Sequence, residues 1–219
     1  MAYHPVAVAL CALLAGADAV AQSRALSSGD HFIERTAGFS WYSPAASSLG
    51  SINHRRVYLV GLRSERLFAT AGPFAIAYTA ELIPLAIVER TTGNIEQCSR
   101  NANWVTFTCR YDYSARVAVG AGGSPVGAKL YFNRAGKTRV YGSVAGGGLV
   151  FSSHVPVHNS RRANFTFEYG GGVEVTARDG RAVMFGYKFH HISNGGTAAL
   201  NPGLDANVLY VGVIRRRGM

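Results

Sequence analysis

The chain has 219 residues, with 22 Lys and Arg against 12 Asp and Glu, a net charge of +10 and a pI near 9.9. That length allows one domain of ordinary size, and three cysteines are too few for a zinc site built on thiolates alone. Charge by itself suits a nucleic-acid binder, but the N-terminus argues for export, and an anionic lipid surface then fits the basic residues better.

Residues 1–21 read as a secretory signal. Val6 to Ala17 is an apolar run, well short of the ~18–20 apolar residues that a membrane-spanning helix needs. Ala19-Val20-Ala21 has the small-x-small form that signal peptidase cuts, which leaves 22–219 as the mature domain. Cys11 departs with the signal. Cys98 and Cys109 remain, and in an exported protein such a nearby pair is expected to form a disulfide.

After residue 30 helical periodicity is nearly absent, and strand-length runs alternate with Gly, Pro, Asn and Ser. The expected strands are 31–43, 54–66, 72–89, 125–134, 138–152, 163–177, 181–193 and 205–215. The interval 90–124 holds the cysteine pair and has room for a short hairpin. Eight long strands behind a signal, with no spanning helix, predict an all-β fold: an eight-stranded antiparallel transmembrane β-barrel of the outer membrane. Tyr, Phe and Trp near the strand ends suit aromatic girdles. Gly146-Gly147-Gly148 and Gly170-Gly171-Gly172 lie inside strands, as the crowded interior of a small barrel requires. Neither run is a phosphate loop, because no Lys-Ser/Thr and no helix follow. A secreted β-sandwich is the blander alternative.

Near the C-terminus, Phe189-His190-His191-Ile192-Ser193-Asn194-Gly195-Gly196 is followed by Asn201-Pro202-Gly203-Leu204-Asp205. His, Ser and a carboxylate within this short stretch are the side chains of a Ser-His-acid hydrolase. Strand alternation turns the spacing into geometry. Val183, Phe185, Tyr187, Phe189, His191 and Ser193 share one face, which is apolar enough to meet lipid. Met184, Gly186, Lys188, His190 and Ile192 share the other, which is expected to line the interior. Leu209, Val211 and Val213 set the outer phase of the last strand, and the same phase places Asn207 and Asp205 outward. His191 and Ser193 lie ~7 Å apart along their strand, within reach of each other. With both termini periplasmic, the loop 194–204 is external. A hydrolase there would face lipopolysaccharide, whose lipid A carries ester-linked acyl chains.

These residues resemble the active-site motif of the outer-membrane lipid A 3-O-deacylases of the PagL family. The likeness includes Phe165, Glu168, Tyr169, Gly170 and Gly172 upstream and Leu209-Tyr210-Val211-Gly212-Val213 at the close, roughly residues 163–214. It implies Ser193 as nucleophile, His191 as general base and Asp205 as the acid that orients the imidazole. It places Asn201, Asn194 and the Gly195 backbone near the oxyanion. The family's acid is often Glu and a loop residue is usually Ala, where this chain has Asp205 and Gly195. Arg215-Arg216-Arg217-Gly218-Met219 stands where barrels usually end on an aromatic. Val183, Phe185, Tyr187 and Phe189 are expected to bind the acyl chain, and basic rim residues the lipid A phosphates. The reaction needs no cofactor. The expected partners are lipid A and outer-membrane lipids, no nucleic acid, with a homodimer left open.

Other polar residues have plainer expectations. His190 has interior parity, and Glu168 and Glu174 are expected to meet basic groups such as Lys188 or Arg178 inside the barrel. Two competing functions remain. A structural or adhesin-like barrel would have no reason to place His, Ser and Asp on a lipid-facing surface. An acyltransferase would hand the acyl group to a second lipid instead of water.

Overall fold

Inward and outward side chains alternate along most of each long strand, and one antiparallel sheet closes on itself in a ring. The computed structural model describes residues 25–41, 43, 49–91, 95–100, 107–112, 116–177 and 181–217. The expected signal segment lies outside them. Eight strands form the barrel: β1 (His31–Ser40), β2 (Arg55–Ala71), β3 (Phe74–Arg90), β6 (Val117–Tyr131), β7 (Thr138–Val155), β8 (Arg161–Thr176), β9 (Arg181–Ser193) and β10 (Leu204–Arg216). The order β1-β10-β9-β8-β7-β6-β3-β2 closes where β1 pairs antiparallel with β10, from Phe32 opposite Arg216 to Phe39 opposite Leu209. Ring closure leaves no unpaired edge for lipid to meet.

One expected strand, 125–134, is instead β6 from Val117. Its early half is Gly-rich and broken by Pro125, which hid it. The glycines are required by close approach: a Cβ on Gly122 would stand 2.1 Å from the Gly148 carbonyl oxygen, and one on Gly147 2.0 Å from the Gly123 oxygen. Pro84 and Pro125 both fall inside register shifts, Ile83/Ala86 on β3 and Gly123/Val126 on β6. A residue that cannot donate to a ladder is tolerated at such bulges.

The remaining pair, β4 (Ile95–Arg100) and β5 (Phe107–Asp112), forms the expected hairpin. Cys98 stands opposite Cys109 in its register. Their side chains, and with them the expected disulfide, lie outside the described residues.

Two ends follow from the connections. The β2–β3, β6–β7 and β8–β9 connections share one end with the start of β1 and the close of β10, and the β1–β2, β3–β6, β7–β8 and β9–β10 connections lie at the other, which holds the longer loops. Exposed Phe68, Phe74 and Phe132 ring the first end, and Phe39, Trp41 and Phe165 the second. Between them a lipid-facing belt includes Val60, Leu62, Leu82, Leu85, Val144 and Tyr187.

The interior is a plug of three layers. An apolar cluster with Val57, Ile83, Phe151, Ile192, Leu204 and Val208 fills the long-loop end. Another, with Leu26, Leu67, Met184 and Ile214, fills the short-turn end. Ion pairs occupy the middle. Lys129 Nζ lies 2.5 Å from Glu34, 3.1 Å from Glu65 and 2.5 Å from Glu174, all fully buried or nearly so. The three carboxylates are close enough to hold a cation, and the Lys129 ammonium is the cation that they surround. Arg63 binds Glu81 at 2.6 Å and Glu168 at 3.1 Å. Glu168 also takes Lys188 at 2.7 Å and His190 Nδ1 at 2.9 Å. His190, Glu168 and Lys188 thus have the interior roles that parity gave them. Glu174 finds Lys129 and Arg139, whereas Arg178 lies outside the described residues.

Candidate active site

The site is built where β9 ends, where β10 begins, and where two loops from the long-loop end meet them. The β9–β10 register sets His191 directly opposite Asp205. Neighbouring side chains in an antiparallel ladder stand close enough to interact, and His191 Nδ1 meets Asp205 Oδ1 at 2.5 Å. This bond fixes Nδ1 as the protonated nitrogen, so Nε2 faces away from the acid as the basic position. Among the described residues neither His191 Nε2 nor the Ser193 hydroxyl has a hydrogen-bond partner. Ser193 is half-buried, two residues along on the same outward face, opposite Phe165 on β8.

The outward parity expected of the three residues holds, but the open exposure to lipid does not. The Asp205 side chain is 0% exposed and that of His191 14%. The cover comes from a segment more than 150 residues earlier in the chain. The amides of Leu49 and Gly50 donate to Asp205 Oδ2 at 3.2 and 2.8 Å. Ile52 forms a parallel bridge to Leu204, and the Ser51 amide donates to the Pro202 carbonyl at 2.8 Å. Residues 49–52 were not singled out by sequence reasoning. Their contribution is backbone amides, which carry no side-chain signature; Gly50 next to an exposed Leu49 is the one local hint.

Gly203 is shaped by the same contacts. Its φ is +65°, and a Cβ there would stand 2.9 Å from His191 Cε1 and 3.0 Å from Gly50 Cα. The Asn-Pro-Gly sequence therefore lets the returning chain pass against the imidazole.

The three oxyanion candidates divide. Asn194 is fully buried, and its Nδ2 donates to Ser160 Oγ at 2.9 Å and to the Leu200 carbonyl at 2.7 Å. Its Oδ1 accepts from the Gly196 amide at 3.0 Å. That carboxamide is consumed in folding the loop, and both of its N–H donors are engaged there. Its backbone N–H donates to Asn201 Oδ1 at 3.0 Å. This bond aims the Asn201 Nδ2 donor elsewhere, and neither that group nor the Gly195 N–H has a partner among the described residues. Arg161 pins the loop from outside, with Nη2 2.8 Å from the Thr197 carbonyl.

The apolar strip differs from expectation at one position. Phe185 and Tyr187 are exposed and Val183 is half-buried, but Phe189 is only 6% exposed. Its ring lies 5.1 Å from that of Tyr169, which covers it. Further exposed aromatics near His191 and Ser193 are Phe165, Phe167 and Tyr169 on β8, one strand over.

A family model described as lipid A 3-O-deacylase (PagL) matches residues 91–213, a longer stretch than the motifs alone mark. Among solved structures, the crystal structure of the outer membrane enzyme PagL aligns with a TM-score of 0.56 at 12% identity, over 82% of this chain and 97% of that one. The crystal structure of Neisserial surface protein A (NspA) aligns at 0.49 and 9%, over 85% and 97%. The attachment invasion locus protein Ail of Yersinia pestis aligns at 0.45 and 11%, over 87% and 100%. No curated protein matches the sequence.

Proposed function

The chain belongs to the lipid A 3-O-deacylase (PagL) family, an outer-membrane β-barrel family of lipid A deacylases, and from that membership we propose that it is a serine esterase that removes the 3-O-linked acyl chain of lipid A. Ser193 is the nucleophile, His191 the general base and Asp205 the orienting acid. The observation that carries this reading is the His191 Nδ1–Asp205 Oδ1 bond, with Ser193 on the same face two residues on.

In the reaction the Ser193 proton passes to His191 Nε2 as Oγ attacks the ester carbonyl. Asn201 Nδ2 and the Gly195 N–H are the donors for the oxyanion, with ~3 kcal/mol per donor as a typical contribution. Collapse breaks the bond to the sugar oxygen, which leaves with the proton held on His191. A water then gives its proton to His191 and attacks the acyl-enzyme, and the fatty acid is released as Ser193 regains a proton. The departing chain lies along Phe165, Phe167 and Phe185, while the sugar and its phosphates stay at the rim near exposed Arg161 and Arg162. The external position of the long-loop end follows from periplasmic termini.

The test is Ser193→Ala. Cells that express the wild-type chain should accumulate lipid A lighter by one hydroxyacyl group in mass spectra, and cells with the variant should not. Identical lipid A in both, with both barrels folded, would overturn the esterase reading.

A further inference from the structure

We propose that the first long loop of the barrel is part of the catalytic apparatus: the backbone amides of Leu49 and Gly50 are positioning groups that hold the Asp205 carboxylate against His191. The proposal rests on the Ser193–His191–Asp205 reading above. A carboxylate has two oxygens, and a single bond from one of them leaves it free to rock. Here Oδ1 accepts from His191 Nδ1 and Oδ2 from the Leu49 and Gly50 N–H groups, at 3.2 and 2.8 Å. With both oxygens engaged, the carboxylate is held against Nδ1, and Nε2 is the ring nitrogen left for Ser193, two residues on along the same face. Hydrogen bonds to an ionised acceptor are the strong kind. They also serve a carboxylate on an outward face, where lipid offers it no donors.

The loop is itself fastened. Ser51 donates to the Pro202 carbonyl through both its amide, at 2.8 Å, and its hydroxyl, at 3.0 Å. The Ile52 amide donates to the Gly203 carbonyl at 3.3 Å. Residues 51–52 therefore lie along the start of β10, in front of the acid. The fit is tight enough to set its length. A Cβ on Gly50 would stand 3.0 Å from Asp205 Cγ, from Asp205 N and from the Gly203 carbonyl carbon. The extra methylene of a Glu has no room unless the loop retreats. The close loop thus suits the shorter Asp at a position where the family's acid is often Glu.

The experiment is a double-mutant cycle on the purified full-length chain, read as fatty acid released from lipopolysaccharide micelles. Asp205→Asn should lower kcat by about 10⁴-fold. Gly50→Ala should lower it by about 10–100-fold through displacement of the acid, with KM changed less than about twofold. The double variant should be no slower than Asp205→Asn alone, because the amides act only through the carboxylate. A merely structural loop would instead make the two losses multiply, and that result overturns the proposal, as does wild-type kcat in Gly50→Ala. If Asp205→Asn is itself fully active, the triad reading falls. Heat-modifiable gel mobility reports folding of each barrel. Leu49→Pro, which deletes one of the two N–H donors at an exposed residue, carries the same cycle if Gly50→Ala does not fold, with about a tenfold loss expected.

Discussion

Replacing Gly203 by Ala should damage catalysis far more than it damages the fold. The backbone at 203 has φ +65°, which for a residue with a Cβ costs about 1–2 kcal/mol. The new Cβ would also stand 2.9 Å from His191 Cε1 and 3.0 Å from both Gly50 Cα and the Leu49 carbonyl oxygen. Ordinary contact begins near 3.4 Å, so the imidazole or the loop must give by about half an ångström. Misplacement by about 1 Å can cost a hundredfold in rate, so half of it corresponds to roughly a tenfold loss in kcat. Gly72 provides the matched control. It has φ +54°, nothing lies within 4 Å of its Cβ position, and it sits in the β2–β3 turn at the opposite end. Gly72→Ala meets a comparable backbone penalty and displaces nothing. Both variants should lower the midpoint of urea unfolding in detergent, Gly203→Ala somewhat more because of its added contacts, and only Gly203→Ala should slow fatty acid release. Equal kcat in the two variants would refute the claim that close packing against His191 sets its position.

Asn201→Ala should lower kcat by about a hundredfold, the usual loss for one oxyanion donor, while KM for lipopolysaccharide changes little; a KM effect alone would mean that Asn201 binds substrate and does not stabilise the oxyanion. Lys129→Met removes the cation that Glu34, Glu65 and Glu174 share and leaves Glu34 and Glu174 only their longer contacts to Arg63 at 3.6 Å and Arg139 at 4.0 Å, and breaking a buried ion pair in this way costs about 3–5 kcal/mol. Its unfolding midpoint in detergent should fall steeply, and unchanged stability would show that the carboxylates find another proton or counterion.

The sequence by itself determined the periodic features. Strand alternation needs only local information, and it correctly put Lys188, His190 and Glu168 inside and His191, Ser193 and Asp205 on the outer face. Spacing put His191 and Asp205 on the same face of one hairpin, and the β9–β10 register then set them opposite each other. Strand β6 was blurred where it is richest in glycine, since the contacts that demand glycine come from β3 and β7. What only the tertiary structure decided is how the pair is covered and which groups remain free. Asp205 Oδ2 is bound by an amide 155 residues away in sequence, a contact made when the ring closes and the first loop is laid across the start of β10. Backbone amides have no side-chain signature, and neither do the loop bonds that engage the Asn194 carboxamide or the Tyr169 ring beside Phe189. Hydrophobic pattern placed His191, Ser193 and Asp205 on one face of the barrel, and packing between distant segments fixed their geometry.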